Sequence, residues 1–154
     1  MSKGMSVQPS STATLDSVTG SLTVGKRAVV KGTGSPPRLT VAGIIYCEGD
    51  NTFEASVKAG GLETEGDVTS RGDLEGSDEV KAEDGRVEVY GKMSAREIDV
   101  DESLYVSSNL TADEVDVCGS LRVEGKVKAD EIDACGSFAA KGEVEAQKID
   151  VGGS

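Results

Sequence analysis

The chain has no histidine and no tryptophan, and aromatic residues make up only 3% of its 154 positions. Without His, the usual general base of an active site is missing, and so is a common metal ligand. No nucleophile–base pair and no phosphate-cradling loop of the Walker type takes its place. We therefore expect no catalysis, no cofactor and no metal site. Cysteine is scarce: Cys47, Cys118 and Cys135 are odd in number and widely spaced, which excludes a disulfide framework. No run approaches the roughly 20 apolar residues of a membrane span, and the first residues lack the apolar core of a signal peptide. Basic residues are few, with Lys+Arg 16 against Asp+Glu 28 and a net charge of −12. A chain this acidic is a poor partner for nucleic acid, whose phosphates call for Lys and Arg, and for anionic lipid. The expectation is a soluble protein of the cytoplasm.

What is present is a repeat. From Val87 to Ser154 the sequence is four ungapped copies of one 17-residue unit: VEVYGKMSAREIDVDES, LYVSSNLTADEVDVCGS, LRVEGKVKADEIDACGS and FAAKGEVEAQKIDVGGS. In the third copy Leu121, Val123, Val127, Ala129, Ile132 and Ala134 are apolar or small, and the residues between them are mostly charged. That is a period of 2, the mark of strands with one buried face, reset twice per unit. The resets fall at Gly91, Ser108, Gly125 or Gly142 and at turns such as Cys135-Gly136-Ser137. A helical face would need i, i+3, i+4, i+7 spacing. Each unit reads as three short strands around one axis, and stacked units make an all-β solenoid with an apolar column inside. A core of Val, Ile, Leu and Ala needs no large rings.

The first half follows the same grammar less regularly. Residues 1–20 are rich in Ser and Thr and read as a disordered N-terminal tail. The β-helix domain is expected over 21–154, with alternation starting at Leu22 and Val24. Gly32 to Pro37 reads as a loop, because two prolines forbid a central strand. Leu39 to Cys47 and Leu62 to Ser70 match the unit again. Arg71 to Arg86 is looser, with Leu74 and Val80 inward and Gly72, Gly76 and Gly85 as corners. About seven triangular coils follow, a rod of roughly 34 Å at about 4.8 Å per strand step.

Two columns stand out. Asp99, Asp116, Asp133 and Asp150 share one outward position, an acidic column in which like charges repeat at strand spacing. We read it as a solvated face screened by salt. Cys118 and Cys135 share another position and should stack, while Cys47 falls at an inward site as a small core residue.

The runs LRVEGKVKADEIDACGS and FAAKGEVEAQKIDVGGS, with VGKRAVVKG and GLETEGDV before them, resemble the repeats of bactofilins, polymer-forming cytoskeletal proteins. The resemblance covers Leu22 to Gly153. It implies a right-handed parallel β-helix, disordered flanks and a scaffold for cell shape or localisation, often at the inner face of a membrane. It also implies filaments formed without nucleotide by contacts between like ends. Met1 to Gln8 is not the apolar or aromatic membrane-targeting segment of many bacterial members, so membrane association is not supported by the N-terminus. The insertions and the acidity point to a divergent, archaeal-type relative. A solenoid has two open ends of unpaired strand edges, a liability unless capped or used. The partner expected is therefore the chain itself. The candidate polymerisation interface is Phe138, Val144, Ile149 and Val151 at one end, with Leu22 and Val24 at the other. Phe138 stands where the family has a C-terminal aromatic contact. The alternative is a non-polymerising β-helix adaptor that regulates another filament or binds a partner through its acidic side face.

Overall fold

The computed structural model describes residues 4–152. All regular structure among them is β, in short parallel strands that wind around three faces. Each turn of the chain lays one strand on each face and returns directly above its starting point. On the first face, successive strands pair Ile98 with Val115, Val115 with Ile132 and Ile132 with Ile149. The step is the 17 residues of the sequence repeat. Two long strands, Arg38–Cys47 and Ser56–Thr64, run around a corner and join the first and second faces into one 15-stranded sheet. The third face is a separate 8-stranded sheet. No described helix is long and apolar enough to cross a membrane.

The alternation decides which side chains meet. All six inward positions of the third copy are buried, with Leu121, Val123, Val127, Ile132 and Ala134 at 1% exposure or less and Ala129 at 6%. The corresponding residues of neighbouring coils lie directly above and below, so each inward position becomes a continuous apolar column. Leu74 and Val80 are inward as expected. Gly76 is not a corner: it occupies an inward position of Leu74–Gly76, paired with Ala59.

The inward polar residues are satisfied locally. The Asn51 side chain donates to the carbonyls of Gly25 (2.7 Å) and Ala28 (3.2 Å), and its Oδ1 accepts from the Gly49 amide (3.1 Å). Thr64 Oγ1 and Ser70 Oγ donate to the carbonyls of Gly66 (2.9 Å) and Gly72 (3.0 Å). Such pairing removes most of the cost of burying a hydroxyl or an amide.

Two expectations are corrected. The rod has about nine turns rather than seven, because the first face carries nine strands, from Met5–Val7 to Lys148–Val151. The solenoid also begins before residue 21. Met5–Val7, Thr12–Thr14 and Ser17–Val18 form a complete first turn, paired with the strands of the second. Residues 1–3 of the expected tail, and Gly153 and Ser154 at the other terminus, lie outside the described residues. This first turn is poor in apolar residues because it needs few: Val7 and Val18 are covered by the turn beneath. The expected loop after Gly32 is present as an insertion at a corner. It stretches the step from Leu22 to Ile45 to 23 residues.

Candidate functional site: the rod ends and the side faces

At the C-terminal end, the turn from Ser137–Ala140 through Val144–Glu145 to Lys148–Val151 closes the described column. Its inward residues keep the phase of the coils below but have none above them among the described residues. Ile149 is 48% exposed and Val144 37%, whereas their column neighbours Ile132 and Val127 are each at 1%. Phe138 and Val151 are half-buried. All four expected C-terminal residues therefore lie on this end, together with Ala140 and Ala146.

The N-terminal expectation is overturned. Leu22 and Val24 are wholly buried under Met5–Val7, which pairs Met5 with Leu22 and Val7 with Val24. Among the described residues, the large apolar side chain exposed at that end is Met5, at 42%. Sequence reading missed it because Gly4, Ser6 and Gln8 surround it, and a terminal coil carries a weak alternation signal.

The acidic column is assembled as expected. Asp99 pairs with Asp116, Asp116 with Asp133 and Asp133 with Asp150 on the outward side of the first face. A parallel row, Glu79, Glu97, Glu114 and Glu131, ends on Lys148. Partial burial, then the charges of Asp99, Asp133 and Asp101, push the Asp116 carboxyl up from its ordinary value. Burial and the neighbouring Glu97 do the same to Glu79. Oppositely charged partners relieve the strain only locally. Arg96 Nη2 reaches Asp78 Oδ1 at 2.7 Å. Glu124 sits between Arg122 (3.2 Å) and Lys141 (2.8 Å), and the Lys141 ammonium beside it lowers its carboxyl. The carboxylates form rows, and among the described residues they do not converge with Cys into groups of three or more that could hold a metal.

The cysteines separate by environment. Cys47 is buried, and burial pushes its thiol far above the ordinary range. Cys118 and Cys135 are exposed at equivalent corners, their amides donating to the carbonyls of Val100 and Val117 one turn below. The Cys118 thiol is raised first by its hydrogen bond with Cys135, then by the charge of that residue.

One side feature escaped the sequence reading. Tyr90 and Tyr105 pack with ring centroids 5.7 Å apart and planes tilted by 56°, and the Arg71 guanidinium lies 5.9 Å from the Tyr90 centroid. Tyr90 Oη donates to Glu88 at 2.8 Å. The available signal was phase: both tyrosines fall among the outward residues of the repeat. Comparison with family models, with curated proteins and with solved structures finds no match to this chain.

Proposed function

We propose that the chain is a structural protein that assembles end to end into nucleotide-independent filaments, a cytoskeletal scaffold of the cytoplasm. The observation that carries this reading is the exposed apolar end of the column, where Val144 and Ile149 repeat positions that the coil beneath buries as Val127 and Ile132. Burying apolar surface is worth about 25 cal/mol per Å², and the edge of a terminal strand offers a ready row of backbone donors and acceptors. A second copy of the same solenoid satisfies both demands. The resemblance of the repeats to those of bactofilins supports the same reading and adds the scaffold role. The test is light scattering of the purified chain without nucleotide, beside Phe138→Arg. The wild type is expected to form long particles. Phe138→Arg should give β-rich species of one or two chains, because an unpaired charge at a buried contact costs several kcal/mol. Long filaments from the variant would remove the C-terminal turn from the interface. A wild type that stays monomeric at high concentration would end the reading.

The second reading is an adaptor that binds a partner along its side. The pair of exposed Tyr90 and half-buried Tyr105, with Arg71 beside it, favours it, since Tyr and Arg are enriched at the hot spots of protein interfaces.

A further inference from the structure

We propose that Cys118 and Cys135 form a redox-responsive thiol pair, which a small-molecule disulfide oxidises to a reversible bridge between successive coils. The pair sits at the corner where the first face passes into the third, one coil below the last described turn. It is independent of end-to-end assembly.

The ladders on both sides of that corner fix its geometry. Before it Val117 pairs with Ala134, and after it Ser120 pairs with Ser137. Two residues separate these pairs in each coil, Cys118-Gly119 and Cys135-Gly136, so the corners superpose with no register shift. The backbone agrees: the Cys135 amide donates to the Val117 carbonyl (2.9 Å) and the Gly136 amide to the Gly119 carbonyl (3.0 Å). Ser137 Oγ donates to Ser120 Oγ at 3.1 Å, so side chains of this corner already meet across the step. One strand step is about 4.8 Å, within the roughly 4.4–6.8 Å that a disulfide spans between Cα atoms. The two thiols face one another, since they share a hydrogen bond. Both are exposed, so a reagent reaches them.

The same corner position is Asp101 in the coil below and Gly152 in the coil above. The row therefore holds these two thiols, and among the described residues no group of three ligands offers a metal site instead. Cys47 is buried in the core and takes no part.

The chemistry is thiol–disulfide exchange. One cysteine thiolate attacks the small disulfide, forms a mixed disulfide and expels one thiolate. The second cysteine attacks the protein sulfur of that bond and expels the other half. The protein pair loses two electrons and two protons, and the small disulfide becomes two thiols. In-register Cβ atoms lie about one strand step apart, wider than the roughly 3.5–4.5 Å of a relaxed bridge, which makes the bond easier to reduce. Exposed bridges of this kind are the labile ones, and transient bridges are the sort that reducing compartments permit. Once closed, the bridge holds the coil of Leu121–Ala134 to the coil below. Terminal coils open most readily, and a cross-link removes freedom from the opened state.

The experiment equilibrates the full chain with oxidised and then with reduced glutathione, beside Cys118→Ser and Cys135→Ser. Thiol titration, intact mass and hydrogen exchange are read at each stage. Oxidised wild type should lose both native-reactive thiols and two hydrogens of mass, with no glutathione adduct. Exchange over Leu121–Ala134 should slow, and reduced glutathione should restore both thiols and the faster exchange. Each Ser variant should exchange as reduced wild type does under both conditions. These variants keep the fold, because Asp and Gly occupy the same corner in neighbouring coils. Glutathione adducts in place of the bridge, covalent dimers, or two thiols still free in excess oxidised glutathione would overturn the pair. A bridge that excess reduced glutathione leaves closed would overturn its reversibility. A bridge that leaves exchange unchanged would overturn its hold on the coil.

Discussion

A single side chain in this solenoid is judged by the parity of its position. Ile132 points into the column at 1% exposure, and Lys128, on the outward side of the same coil, meets solvent. Ile132→Asp should therefore cost several kcal/mol, as an unpaired buried charge does, and abolish cooperative urea unfolding. Lys128→Asp should leave the unfolding midpoint within about 0.5 kcal/mol of wild type, as surface changes do. Equal loss in both would refute the inward and outward assignment. The thiols give a second reading of the same parity. Cys47 is buried and held protonated, whereas Cys118 and Cys135 are exposed. A thiol reagent such as Ellman's should titrate two groups in the native protein and the third only after denaturation. Three fast groups would contradict the burial of Cys47. This parity was legible from the sequence wherever large apolar residues alternate with charges. It failed at Met5 because a coil of Ser, Thr and Ala alternates in size more than in polarity. It failed at Tyr90 and Tyr105 because an outward tyrosine carries no signal of the neighbour it packs against.

At the scale of the element, corners and rows matter more than single residues. A Cβ placed on Gly119 would collide with the Glu102 carbonyl oxygen of the turn below, whereas one on Gly4 would meet only ordinary contact with Ser21. Gly119→Ala should destabilise by about 1–3 kcal/mol, the usual cost of overpacking, and Gly4→Ala should be near neutral. The corners of the repeat were legible because Gly or Ser recurs there at a fixed step. The number of coils was not. The insertion after Gly32 stretches one step to 23 residues, and Leu62 to Val80 to Ile98 takes steps of 18. Insertions at a corner leave the coil intact but break the period by which it is recognised.

The acidic row makes a prediction of its own. The folded protein holds the Asp116 and Glu79 carboxyls above their ordinary values, so it binds protons more readily than the unfolded chain. Their stabilising contribution grows as the pH falls through the raised folded values and is complete below the ordinary carboxylate range, near pH 4. The melting temperature should rise on mild acidification from neutrality, the reverse of ordinary acid denaturation. Asp116→Asn should raise stability at neutral pH by up to about 1 kcal/mol, the scale of one cross-strand pair, and should weaken the pH dependence. A melting temperature that falls between neutrality and pH 5 would contradict carboxyls raised by burial and by their neighbours' charge.

For the whole molecule, the net charge of −12 sits on a narrow rod. Added salt should raise the melting temperature as the Debye length shrinks from about 10 Å at 0.1 M to about 3 Å at 1 M. An unchanged or lower value would mean that self-repulsion is not a significant cost. The apolar end is the other property of the whole, since Val144 and Ile149 are exposed only because they belong to the last described turn. The measurement that tests end-to-end assembly most directly is the axial repeat of the wild-type assemblies, read from electron micrographs without nucleotide. About nine turns at about 4.8 Å per step give a rod of roughly 43 Å. Filaments one rod wide with that repeat are the predicted result. Single rods at every concentration, or sheets formed by lateral contact with no such axial repeat, would contradict the account.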